Sequence, residues 1–160
     1  MPEALSEARI TEQLRLRLDE AEFVYQHLPT TLERARKGAR VDAWRTFFRE
    51  QAGALRAQRK ALRAIADQWG LRIRPCFSPT VEKQLNEARL AVTDRRARPT
   101  MERTVQDVIN SLRTRVLAGL EEAAHLALRM RENELAQHLL LLSQDERLQL
   151  GAVGRVVTDM

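Results

Sequence analysis

Apolar residues recur along this chain at alternating steps of three and four, and in two segments polar residues fall on that beat at matching depth. In residues 41–69, Val41, Trp44, Phe48, Leu55, Leu62, Ile65 and Trp69 keep the spacing while Gln51 and Gln58 interrupt it. In the last segment Leu135, Leu139, Leu142, Val153 and Val156 keep it, and Glu146 and Gln149 interrupt it. Such spacing puts one residue per turn on a single helix face, so the polar positions point into a bundle of helices. A carboxylate placed there must be paired, protonated or part of a site, because burying it alone is costly.

The rest of the pattern predicts four long helices and a short one. The first runs from about Ser6, as N-cap, to about Lys37, with Leu14, Leu18, Ala21, Tyr25, Leu28, Leu32 and Ala35 facing inward. Pro29 inside it should kink or divide the helix, since it cannot donate to the preceding turn. The second, Val41 to Trp69, stops at Gly70. Residues 71–79 form a loop carrying Cys76. Thr80 then caps a short helix of about 80–91, whose few apolar residues, Val81, Leu85 and Leu90, read as a lid lying across the bundle. Arg95 to Pro99 is a connection, and Thr100 caps the third long helix, which turns Ile109, Leu112, Val116, Gly119, Ala123, Leu126 and Met130 inward. The chain turns back within Arg131 to Asn133, where no Gly or Pro marks the boundary, and the fourth helix runs from about Glu134 to Val157. Two antiparallel pairs joined by a long connection make an all-α up-down four-helix bundle with one crossover.

Composition agrees with one globular domain spanning residues 1–160. Apolar residues are 44% and charged ones 31%, and six Gly and five Pro leave little material for sheets with tight turns. The longest apolar run, Leu139 to Leu142, is far too short for a bilayer. Met1-Pro2-Glu3-Ala4 lacks the basic and apolar regions of a signal peptide, so the expected location is the cytoplasm. A single cysteine, Cys76, excludes an internal disulfide and a cysteine-based zinc site, and it reads as a buried or inert side chain. With no Gly-rich phosphate loop and no Ser/His/Asp constellation, the expectation is a non-catalytic protein.

Three stretches resemble the ferritin-like family of small bacterial stress proteins typified by YciF. They are Leu18-Asp-Glu-Ala-Glu-Phe-Val-Tyr-Gln-His-Leu-Pro29, Phe48-Arg-Glu-Gln-Ala-Gly-Ala-Leu-Arg-Ala-Gln-Arg-Lys-Ala-Leu62 with the Cys76 loop behind it, and Ser143-Gln-Asp-Glu-Arg147. The resemblance spans roughly residues 10–157 and implies a ferritin-like bundle with a stress association. Such proteins hold two metal ions between inward carboxylates and Glu-x-x-His histidines. Carried across residue by residue, most ligands are missing. The first-helix carboxylate falls at Ala21, with Glu22 one residue off and turned to the flank. The second-helix histidines fall at Gln51 and Gln58 and the acid between them at Ala54. The third-helix acids fall at Arg113 and Val116. Glu146 remains, with Gln149 or Leu150 in place of its partner ligand. Amides do not replace imidazole or carboxylate as strong ligands, so the resemblance implies a lost di-metal site, no cofactor and no metal.

The reading that follows is a structural or interaction protein, dimeric through a helix face. At the former metal site Glu146 would accept hydrogen bonds from the amides of Gln51, Gln58 and Gln149, from Tyr25 and from Arg113 or Arg115, fixing helix register. Two alternatives stand beside it. A di-iron or di-manganese redox protein with an unusual ligand set would draw on Glu22, Glu146, and the Glu122-Ala-Ala-His125 spacing, with Glu134 and His138 a second same-face pair. His125 points away from the seam, and His27 and His138 read as half-buried hydrogen-bonding residues rather than ligands. An Arg-rich nucleic-acid binder would account for the net charge of +5. Against it, the cations are spread over every segment and interleaved with Glu and Asp, and only Arg34, Arg36, Lys37 and Arg40 form a dense group.

Overall fold

The computed structural model describes residues 2–74 and 78–158, leaving out the side chains of residues 2–6 and 156–158. The predicted positions of Pro75 and Cys76 and the side chains of Ser6 and Val156 lie outside the described residues. The described chain is all-α: α1 is Pro2–Gly38, α2 Asp42–Gln68, α3 Pro79–Thr93, α4 Met101–Arg129 and α5 Asn133–Thr158. A 3-10 helix, Arg95–Thr100, forms the connection into α4. None of the described helices is long and apolar enough to cross a membrane.

Cross-helix bonds establish the topology. Glu33 pairs with Arg56 and Glu22 with Arg59 and Arg63, so α1 and α2 run antiparallel. Glu20 pairs with Arg115 and Arg17 with Glu122, which makes α4 antiparallel to α1 on its other side. Arg147 pairs with Glu121, and Gln106 Nε2 donates to the Val153 carbonyl at 3.1 Å, so α5 is antiparallel to α4. The order is up-down-down-up, with α1 facing α5 and α2 facing α4 across the two diagonals. Because α2 ends where α1 starts and α4 starts where α1 ends, the crossover has to climb the length of the bundle, roughly 40 Å at 1.5 Å per residue.

The crossover does so along a groove and not as a lid. The Arg74 N–H donates to Asp19 Oδ1 on α1 at 2.8 Å, Gln84 Nε2 to Ser111 Oγ on α4 at 2.9 Å, and the far end of α3 reaches Gly38 and Met101. α3 buries Val81, Leu85, Ala88 and Ala91 in that groove, whereas Leu90 is 64% exposed. Ala88 and Ala91 take the inward positions where Leu90 was expected. Ser78, not Thr80, caps α3, its hydroxyl accepting from the Val81 N–H.

Seam residues of α1, among them Leu14, Leu18, Tyr25, Leu28 and Leu32, are fully buried beside Phe48, Leu55 and Leu62 of α2, Ile109 and Leu112 of α4 and Leu139 of α5. Val41 is an exception, exposed as the residue before α2. α1 passes through Pro29 without dividing, and it starts ahead of Ser6, which therefore lies inside the helix. Two helices end in the same two-bond cap. At the end of α2, Leu71 N donates to Ala66 O and Gly70 N to Asp67 O, with Gly70 at φ 64°. At the end of α4, Glu132 N donates to Ala127 O and Arg131 N to Leu128 O, with Arg131 itself at φ 62°. An arginine in the left-handed region explains why no glycine marks this turn.

Candidate functional site

The centre of the bundle holds a charged group supplied by α4. Arg113 is fully buried. Its Nε donates to Gln51 Oε1 at 2.8 Å and its Nη1 to Gln58 Oε1 at 2.9 Å, which joins α4 to α2 across one diagonal. The same Nη1 lies 3.0 and 2.9 Å from the two carboxylate oxygens of Glu146, which is also fully buried, on α5. Tyr25 Oη on α1 donates to Glu146 Oε1 at 2.7 Å, joining α1 to α5 across the other diagonal. Every long helix contributes a member, so the network ties the register of all four. At its edge Gln51 Nε2 donates to Gln149 Oε1 at 3.1 Å, and Gln149 is half-buried in the α2–α5 seam.

The direction of these bonds follows from what each group can do. Guanidinium has donors and no acceptor, so Gln51 and Gln58 must present their oxygens to it. Their amide hydrogens therefore do not reach Glu146, contrary to the expectation that they would donate to the carboxylate. Arg113 Nη2 and Gln58 Nε2 are buried without a hydrogen-bond partner. Burial, with the Glu146 charge next to it, pushes the Tyr25 hydroxyl well above the usual phenol range and keeps it a donor. Arg115, the other predicted donor, pairs with Glu20 on the surface and takes no part.

The candidate metal ligands do not come together. Glu22 is buried, not turned to the flank, and its Oε1 accepts from Arg59 at 2.8 Å and Arg63 at 3.0 Å, away from the Glu146 network. Glu122 and His125 are both exposed on α4, Glu122 pairing with Arg17. Glu134 and His138 are exposed as well. Among the described residues no three His, Cys, Asp or Glu side chains are grouped to hold an ion. His27 and His138 make ring contacts in place of the predicted hydrogen bonds: His27 lies 4.4 Å from Phe23, and His138 5.2 Å from Trp69. The donor set does not fit a di-metal centre, because a fixed cation already binds both oxygens of the one carboxylate there.

The sequence carried a signal for Arg113. Stepping by four and three from Ile109 lands on Arg113, Val116, Leu120, Ala123 and Ala127, and all of these are buried. The same steps from Leu18 reach Glu22, Tyr25, Pro29 and Leu32. A cation and a second carboxylate thus occupy seam positions that a purely apolar search passes over.

No protein-family model matches the chain, and no curated protein matches it. Among solved structures the fold is similar to that of "YcfI, a putative structural protein from Rhodopseudomonas palustris", with a TM-score of 0.76 over 90% of this chain and 92% of that one, at 12% identity. At that identity the likeness is one of fold: this chain is an all-α bundle of the same architecture.

Proposed function

We propose that the chain is a non-catalytic, ferritin-like helical-bundle protein of the cytoplasm, a structural or interaction protein in which an internal ion pair stands where such bundles hold a di-metal centre. The observation that carries this reading is the fully buried Arg113 guanidinium bonded to Gln51, Gln58 and Glu146. A cation there repels divalent ions and occupies the carboxylate they would need. The stress association rests on the resemblance to YciF-type proteins, and the structural neighbour, itself described as structural, agrees with a non-catalytic role. A homodimer through a helix face is part of the proposal. Leu141 and Leu148, seven positions apart on one side of α5 and 57% and 70% exposed, supply apolar surface for it.

The test is metal content after anaerobic incubation with iron(II) or manganese(II) and desalting. The expected result is far less than one ion per chain, unchanged by Glu146→Gln. Stoichiometric metal that disappears in that variant would restore the di-metal redox reading. Sedimentation of the wild type beside Leu141→Glu/Leu148→Glu tests the dimer, which the two charges should dissociate.

A further inference from the structure

Cations scattered along the sequence are gathered by the fold at the end where α1 stops and α2 and α4 begin. The Arg40 N–H donates to Glu102 Oε1 at 3.3 Å, and Gly38, Asp94, Arg95, Arg98 and Met101 line one dent of the surface. Residues 34–45 and 94–103 therefore lie together at this end of the bundle. Together they hold nine Arg and Lys against three carboxylates, and with Glu33, the partner of Arg36, counted as a fourth the excess still equals the net +5 of the entire chain. The three acids are engaged: Asp42 by Arg45, Asp94 by the Arg96 N–H, and Glu102 by the Arg40 N–H. Lys37, Arg40, Arg95, Arg96, Arg98 and Arg103 are exposed and enter no ion pair, in contrast to Arg17, Arg115 and Arg147 on the sides of the bundle. Unbalanced like charges held this close repel one another, and a polyanion relieves that repulsion while releasing its own counterions.

We propose that this end of the bundle binds the phosphate backbone of double-stranded nucleic acid without reading its sequence. Eight of the nine cations are Arg, whose planar fork of donors matches phosphate oxygens. The nearby aromatic residue, Trp44, is buried, so this face offers no platform on which single-stranded bases would stack. Val41 and, near the end of α3, Leu90 are the large exposed hydrophobics of the described residues at this end, two side chains rather than the apolar helix face that anchoring in a lipid interface takes. None of these residues touches the Arg113 network, so the proposal stands or falls independently of the metal-free interior.

Fluorescence anisotropy with a labelled random duplex of about 20 base pairs tests it, in salt from about 50 to 200 mM. With about six phosphates neutralised, affinity should fall roughly 10³-fold over that range, equally for unrelated sequences. The exposed triple variant Arg95→Gln/Arg96→Gln/Arg98→Gln, checked for folding by circular dichroism, should lower the salt slope by about three and weaken binding at least tenfold. Arg129→Gln/Arg131→Gln at the opposite end should change neither. Absence of binding at the lowest salt, or binding that the triple variant leaves intact, overturns the proposal. So does retention on phosphatidylglycerol vesicles, abolished by the same triple variant, without binding to the duplex.

Discussion

Replacing Glu146 by Gln keeps the size of the side chain and leaves Arg113 as the one formal charge in its network. The guanidinium loses contacts of 2.9 and 3.0 Å to a carboxylate and retains only neutral oxygens, with no route to water because both residues are fully buried. Breaking a buried pair from one side costs roughly 3–5 kcal/mol, whereas an exposed pair costs less than about 1 kcal/mol. For a domain stable by roughly 5–15 kcal/mol this is a large fraction, equivalent at this chain length to a fall in Tm of about 6–20 °C. Urea denaturation followed by circular dichroism measures it. Arg113→Met and the double variant Arg113→Met/Glu146→Leu complete the cycle. The double should be less destabilised than the sum of its singles by about 2 kcal/mol or more, because removing both charges removes both desolvation costs. A Glu146→Gln loss below about 1 kcal/mol, or singles that add within about 0.5 kcal/mol, would refute the claim that this pair organises the interior.

Burial raises the pKa of Asp19 above 3.8, against the opposing bond from the Arg74 N–H, so the folded state holds that proton more tightly than the unfolded one. The contribution of Asp19 to stability is therefore complete below 3.8 and is lost as pH rises through the raised value; Asp19→Asn keeps the acceptor for Arg74 and should be more stable than wild type at neutral pH, the gain vanishing in acid. His27 shifts the other way, lowered from 6.5 by burial and by Arg89. Its contribution is complete above 6.5 and lost as pH drops through 6.5 toward the lowered value, a decline that His27→Gln should flatten in pH-dependent melting curves. Arg131 sits at φ 62° where glycine is favoured, so Arg131→Gly should stabilise by about 1 kcal/mol, and a destabilised variant would show that its side chain matters more than its backbone.

How far the site could be read in advance differed from residue to residue. Gln51, Gln58 and Glu146 stand out because they break an apolar rhythm, and Tyr25 because it continues one. Arg113 is legible only as an alternative to Arg115, since an arginine on a helix is ordinarily a solvated residue and Leu112 next to it satisfies the pattern. Glu22 departs from its expected place for a related reason: with Ala21 as the seam its neighbour turns outward, although a step of four from Leu18 also lies within the buried arc.

What the sequence determined by itself is local and periodic: the helices, their approximate ends, the apolar faces and the presence of polar groups on two of them. Helix periodicity is a property of consecutive residues, and it survives without knowledge of neighbours. Tertiary structure alone decided who meets whom. It chose Arg113 over Arg115 as the partner of Glu146, turned the glutamine amides so that oxygen faces guanidinium, and sent Glu22 to Arg59 and Arg63. It also brought residues 34–45 to residues 94–103. Ion pairs and hydrogen bonds depend on distances of a few ångströms between residues far apart in the chain, and packing sets those distances.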